Sequence, residues 1–235
     1  MTTIAIIPAR GGSKGVKNKN IRLLNNIPLI AYTIQAATIS DRIDYVYVTT
    51  DHNEIGEVAH AYGAKVIKRP INLADDYIMP DASVVHAINN ISTFGDEPDD
   101  IVVFLQPTSP IRLIDDIDNA LDSFNEHEVD SLFSAVDIHP CVWRLSGQDN
   151  LTSLNFNYKE RKRRQDDTAD LIENGSIYIA NTSVWKKYGE RFGDNVGHYL
   201  MENICLYEID TEKDLSMLDA LMKALIQIDY PIVKF

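Results

Sequence analysis

The sequence is short of cysteine, of positive charge and of long apolar runs, and each shortage removes a class of function. Two cysteines, Cys141 and Cys205, in 235 residues cannot build a disulfide framework, and neither has the spacing of a metal ligand. Both read as core or surface thiols in a reducing cytosol, so a cytoplasmic protein is expected. The six histidines fit neither HxxxH nor HExxH, and no zinc site is expected. No apolar stretch approaches the roughly 20 residues that cross a bilayer. The opening "MTTIAIIPAR" lacks the basic region and the apolar length of a signal peptide. No Walker A spacing and no dinucleotide G-x-G-x-x-G occurs either.

Positive charge is scarce and unevenly placed. The chain carries 22 Lys and Arg against 35 Asp and Glu, a formal net charge of −13. Five of the cations, Arg10, Lys14, Lys17, Lys19 and Arg22, fall in "RGGSKGVKNKNIR", which holds no acid, so the rest of the chain has a net charge of −18. A surface of that sign repels nucleic-acid phosphates, and no nucleic-acid partner is expected. A local basic site for one compact anion suits the pattern better. Glycines let a backbone approach a phosphate closely, and Lys and Arg add charge-assisted contacts. The alternative is a solvated turn that happens to be basic.

Hydrophobic periodicity supplies the frame. "TIAIIPA" reads as a buried strand ended by Pro8. "NIPLIAYTIQAAT" reads as a helix capped by Asn26 with Pro28 in its first turn. "YVYVTTD" is a strand, and Ile55, Val58, Ala59 and Tyr62 form one face of the next helix, closed by Gly63. "AKVIKR", "DIVVFLQP" and "SLFSAV" read as strands, with helices over "DASVVHAINNI" and "DIDNALDSF". Such alternation predicts an α/β fold with a mostly parallel sheet flanked by helices. Residues 137–170 break the rhythm and read as a β-hairpin excursion or lid, too short for a domain of its own. "GSIYIAN" and "ICLYEID" restart as strands, and "TEKDLSMLDALMKALIQI" ends the chain as an amphipathic helix. Ligands bind beyond the carboxyl ends of such strands. The basic loop, Asp51 and the "LQPTSP" turn all fall there.

The stretch "IIPARGGSKGVKNKNI", followed in order by "RPINLADD", "LQPTSPIR", "RRQD", "NGSIYI" and "EIDTEKDL", resembles the CMP–sialic acid synthetases, or acylneuraminate cytidylyltransferases. The likeness runs from about residue 4 to 220. It implies a Rossmann-like nucleotidyltransferase fold acting as one domain over residues 1–235, with the 137–170 excursion mediating a homodimer. It implies CMP transfer from CTP to the anomeric 2-hydroxyl of a nine-carbon 2-keto sugar acid, of sialic or legionaminic type, with release of pyrophosphate. Carried over on the matching positions, Arg10, Gly11, Ser13, Lys14, Lys19 and Asn20 would hold the triphosphate, Lys19 foremost among them. Arg69 would lie by the base or ribose. Gln106, Arg164, Gln165 and Tyr178 would meet the acceptor. Family members often read "TASS" where this chain has "YIMP" at 77–80, and Pro80 offers neither hydroxyl nor N–H.

Each assignment has a structural counterpart. Arg69 reads equally as a surface ion pair, Gln106 as a buried amide, and Tyr178 as core. Arg112 reads as a partner of Asp115 or Asp116, and "KERKRR" as a solvated face. Glu208 and Asp210 are two apart, so on a strand both point one way. Two oxygen ligands on one face suit Mg²⁺, which takes phosphate oxygens as further ligands. Asp210 or Thr211 also suits the cap of the last helix. The family usually has Asp where this chain has Glu208. Two other functions share much of this pattern: a nucleotidyltransferase for a sugar phosphate or for the eight-carbon acid Kdo, and a non-catalytic nucleotide-binding module.

Overall fold

The computed structural model describes residues 1–75, 77–92, 94, 97, 100–147, 150–166 (without the Arg164 side chain) and 170–235. In chain order its strands are β1 (Thr3–Pro8), β2 (Leu23–Leu24), β3 (Ile27–Pro28), β4 (Tyr45–Thr50), β5 (Lys65–Lys68) and β6 (Ile101–Leu105). They continue with β7 (Ser131–Ile138), β8 (Trp143–Ser146), β9 (Asn150–Ser153), β10 (Asp170–Asn181) and β11 (Val196–Leu200). The α-helices are α1 (Leu29–Ile39), α2 (Asn53–Ala61), α3 (Pro80–Asn89), α4 (Asp116–Glu126), α5 (Thr182–Tyr188) and α6 (Glu212–Gln227).

Seven strands form the central sheet in the order β11-β7-β10-β6-β1-β4-β5. β1 pairs parallel with β4 and β6, β4 with β5, and β7 with β11; only β10 runs antiparallel to its neighbours. The central strands are apolar on consecutive residues because both sheet faces are covered. Ala5 and Ile7 of β1 and Val103 and Leu105 of β6 pack with α1, α2, α4 and α6. Ile4 and Ile6, with Val102 and Phe104, pack with α3 and α5 on the other face. That alternation follows the two-residue side-chain period of a strand.

The sheet corrects several expectations. Asn26 does not cap α1. Asn25 and Asn26 both have positive φ, 50° and 64°, and form the turn of the β2–β3 hairpin, a conformation Asn tolerates better than most residues. Pro28 therefore precedes the helix. "ICLYEID" is not a strand: a 3-10 turn covers Asn203–Leu206, and the segment beyond it joins no ladder. α5 and β11 had no sequence counterpart, and β10 begins five residues before "GSIYIAN". The excursion does contain a hairpin, β8–β9, which forms a separate two-stranded sheet. At the last helix, Thr211 is the cap, and Asp214 returns a bond to its N–H to complete a capping box.

Candidate active site

The crossovers reverse direction between β1, which leads toward β4, and β6, which leads toward β7. A cavity of about 520 Å³ opens there, beyond the strand carboxyl ends, where the α/β topology favours a ligand.

The basic loop makes one wall, through Arg10, Ser13, Lys14, Gly15, Lys19 and Asn20. Buried Val16 anchors the loop in the core. Asn20 donates from Nδ2 to the Arg10 carbonyl at 3.0 Å, and the Gly11 N–H donates to Asp51 Oδ1 at 3.1 Å. Gly11 and Gly15 serve close packing on protein, whereas Gly12 has open space around it. A Cβ on Gly15 would lie 2.0 Å from the Asp210 carbonyl oxygen, and one on Gly11 would lie 2.7 Å from the His52 ring. Gly11 is not among the cavity's lining residues. Nor do all five cations face the cavity. Arg22 forks onto Glu212 at 2.6 and 3.0 Å, and Lys17 is exposed outside the lining.

Gln106, Pro107, Thr108, Glu208 and Asp210 form the facing wall. Although 208–210 is no strand, it keeps an alternating arrangement. Ile209 is fully buried between the two acids, its N–H donating to the Thr108 carbonyl at 2.9 Å. Lys19 Nζ bridges the two walls, donating to the Ile209 carbonyl at 2.8 Å and to Asp210 Oδ1 at 3.0 Å. Ser109 Oγ donates to Glu208 Oε1 at 3.0 Å. Burial holds the Glu208 carboxyl above the usual range, the Ser109 bond opposes this, and the Asp210 charge adds to it.

A third side is more apolar: Leu73, Ile78, Met79 and Pro80, with Arg69 and Ser83. Pro80 is the first residue of α3, where a missing N–H leaves no bond unmade. Arg69 is buried, not a surface residue. It donates from Nη1 to Ser83 Oγ and from Nη2 to Asp51 Oδ1 at 3.5 Å. Burial lowers its pKa while the Asp51 charge raises it. Ser83 escaped the sequence reading as a site residue, and Leu73, Ile78 and Met79 entered it only within the quoted stretches "RPINLADD" and "YIMP".

Other expected residues lie elsewhere. Tyr178 is 3% exposed and stacks on Phe104, ring centroids 5.3 Å apart, with its hydroxyl on Glu173. It does not line the cavity, though Phe104 does. Gln165 is exposed in a 3-10 turn of the excursion and is not among the lining residues; the Arg164 side chain lies outside the described residues. Arg112 pairs with neither Asp115 nor Asp116 by hydrogen bond. It is fully buried and donates to Thr33 Oγ1 and to the carbonyls of Gln106 and Ser176, at 3.0, 2.8 and 2.9 Å. It thus holds the Gln106 turn from beneath. Asn174 is likewise structural, bonded to Ser134 and to the Cys205 carbonyl.

Among the described residues, no group of three or more His, Cys, Asp and Glu side chains could hold a metal ion. Two carboxylates facing one cavity, beside cations suited to phosphate, still match the donor set of Mg²⁺, which takes one or two carboxylates plus substrate phosphate oxygens. Among the described residues no helix is long and apolar enough to cross a membrane.

A cytidylyltransferase family model matches residues 4–230. N-acylneuraminate cytidylyltransferase A of Danio rerio is 36% identical over 213 residues, 89% of this chain and 48% of the relative. Pseudaminic acid cytidylyltransferase of Campylobacter jejuni is 32% identical over 226 residues, 95% of this chain and 97% of the relative. The chain spans about half the length of the N-acylneuraminate cytidylyltransferases it matches. A structure of CMP:2-keto-3-deoxy-manno-octonic acid synthetase complexed with CTP superposes with a TM-score of 0.72 at 18% identity, over 95% of this chain and 99% of that one. At that identity the likeness shows the fold.

Proposed function

The chain belongs to the cytidylyltransferase family, and we propose that it transfers CMP from CTP to the anomeric 2-hydroxyl of a nine-carbon 2-keto sugar acid, releasing pyrophosphate. The observation that carries this reading is one cavity with Arg10, Lys14 and Lys19 on one wall and Glu208 and Asp210 on the other. The names of the zebrafish and Campylobacter relatives support an acceptor of the N-acylneuraminate or pseudaminate kind.

Nucleotidyl transfer needs alignment and charge neutralisation more than covalent help. In this reading Arg10, Ser13, Lys14 and Asn20 bind the triphosphate. Lys19 stabilises the charge that builds on departing pyrophosphate. Arg69 orients the ribose or base end, and the Ile78–Pro80 wall covers it. Gln106 meets the acceptor, while Tyr178 acts through Phe104 as a floor. Asp210 and Glu208 would hold Mg²⁺, which when bound polarises a phosphate and lowers the pKa of a nearby hydroxyl. Residues 1–235 act as one catalytic unit in the cytoplasm.

The excursion supplies a homodimer contact and brings Arg164 and Gln165 to the acceptor carboxylate. Trp143, Leu145, Leu151 and Tyr158 are exposed on or beside its hairpin, an apolar patch that a second copy would cover. Leu145→Asp is expected to convert a dimer to a monomer in analytical ultracentrifugation; an unchanged sedimentation profile argues against the contact.

Pyrophosphate release tests the reaction, with CTP and Mg²⁺ against N-acetylneuraminic, legionaminic, pseudaminic and Kdo acids, and with ATP, GTP and UTP as controls. Release with CTP and one nine-carbon acid is the expected result. Folded protein that releases none with any acceptor refutes the reading.

A further inference from the structure

Asp51 follows β4, and the reaction as written above gives it no task. An acid is out of place beside an anion site, because its charge repels the ligand. Its carboxylate is nonetheless placed with care: the side chain is 11% exposed and its Oδ1 takes two donors. One is the Gly11 N–H of the basic loop at 3.1 Å; the other is Arg69 Nη2 at 3.5 Å. Those donors come from two separate segments that border the cavity: Gly11 belongs to the basic loop, and Arg69 to the side where it also reaches Ser83 of α3. The neighbouring residue reinforces the join. The His52 N–H is tied to Thr50 Oγ1 at 3.1 Å, and its ring closes over Gly11.

Both donors need such a partner. Burial works against the Arg69 charge, and its Nε has no hydrogen-bond partner among the described residues. Asp51 is the one acid ion-paired with it there. The Gly11 N–H sits where the loop turns against His52, so losing its acceptor would free the first turn of the loop that carries Arg10, Ser13 and Lys14.

We infer that Asp51 is a positioning residue for the nucleotide: one carboxylate oxygen locks the phosphate loop and Arg69 into a single preformed arrangement before CTP arrives. The inference rests on the cytidylyltransferase reading. A preformed site avoids the ordering cost at binding, and that gain outweighs the repulsion from one partly neutralised acid.

The test compares wild type with Asp51→Ala and Asp51→Asn by calorimetric titration of CTP with Mg²⁺, with KM for the sugar acid and thermal unfolding measured alongside. Asp51→Ala removes both bonds and is expected to weaken CTP binding about tenfold or more. Asp51→Asn keeps an acceptor for Gly11 but loses the charge facing Arg69, and is expected to fall between. KM for the sugar acid should stay within about twofold. The sign is decisive, because deleting a negative charge near a triphosphate tightens binding by electrostatics alone. Tighter or unchanged CTP binding in both variants overturns the inference. Equal losses for both substrates, tracking a lower Tm, overturn it too, by reducing Asp51 to a general stabilising role. If Asp51→Ala does not fold, Asp51→Asn carries the comparison. Wild-type protein that binds no CTP would refute the cytidylyltransferase reading itself, which separates that failure from this one.

Discussion

Gly15 offers the sharpest test of how the two walls meet. A methyl added there would stand 2.0 Å from the Asp210 carbonyl oxygen, whereas real Cβ contacts stay beyond about 3.0 Å. The obstacle is backbone, so no rotamer change relieves it. One wall must move by about 1 Å, and a displacement of that size at a catalytic site can cost on the order of 100-fold. The same shift disturbs the anchors of Lys19, which are the Ile209 carbonyl and Asp210 Oδ1. For Gly15→Ala we expect kcat/KM in pyrophosphate release to fall about 100-fold, about 3 kcal/mol of transition-state stabilisation. Overpacking of this kind costs roughly 1–3 kcal/mol of fold stability, and a chain of this size loses roughly 2–4 °C of Tm per kcal/mol. Gly12→Ala is the matched control, because nothing lies within 4 Å of its added carbon. It should keep activity within about twofold. If Gly15→Ala also does so, contact between the basic loop and the Asp210 segment does not set the chemistry. If it fails to fold, the strain exceeds about 3 kcal/mol.

Further outcomes follow from the same geometry. Lys19→Met should lower kcat by roughly 10- to 100-fold, the range for losing a charged hydrogen bond. Arg22→Ala should leave turnover unchanged, because Arg22 faces Glu212 on the surface and such pairs contribute at most about 1 kcal/mol; steady-state kinetics on both checks this. Thr211→Ala removes the α6 cap and should cost about 1 kcal/mol, read as a small drop in Tm by calorimetry. Asp116 is buried, and its carboxyl is pushed up from 3.8 to about 6, chiefly by desolvation. The folded state therefore holds that proton to higher pH than the unfolded chain does. The associated stability is present below about 4 and lost as pH rises through about 6, on the order of 3 kcal/mol. Urea titrations across that window should show this slope in wild type and not in Asp116→Asn; parallel profiles would contradict the burial argument.

Local chemistry, written in neighbouring residues, was legible without a structure. Strand and helix alternation follows from side-chain periods of two and 3.6, and those periods put "TIAIIPA", "YVYVTTD" and "DIVVFLQP" in one sheet. The same frame placed the basic loop, Asp51 and the "LQPTSP" turn at strand ends, and the Thr211 region at a helix start. The hairpin at Asn25–Asn26 was missed because two asparagines that tolerate positive φ look, in sequence, like a helix cap. Only the tertiary structure decided which charges matter. Arg10, Lys14 and Lys19 face the cavity while Arg22 turns to Glu212, and no rule within a thirteen-residue window separates them. Lys19 finds its partner 191 residues away in Asp210, and Arg112 gives its hydrogen bonds to a hydroxyl on α1 and to carbonyls on β10 and in the turn after β6. Tyr178 went to the core and Glu208 to the cavity because packing of whole faces, not spacing along the chain, determines which side chains water can reach. The sequence by itself thus determined the alternation of most strands and helices and the α/β class that follows from it, while the strand order in the sheet came only with the structure. The fold selected the partners, since electrostatic and hydrogen-bond energies depend on distances in space that chain separation does not encode.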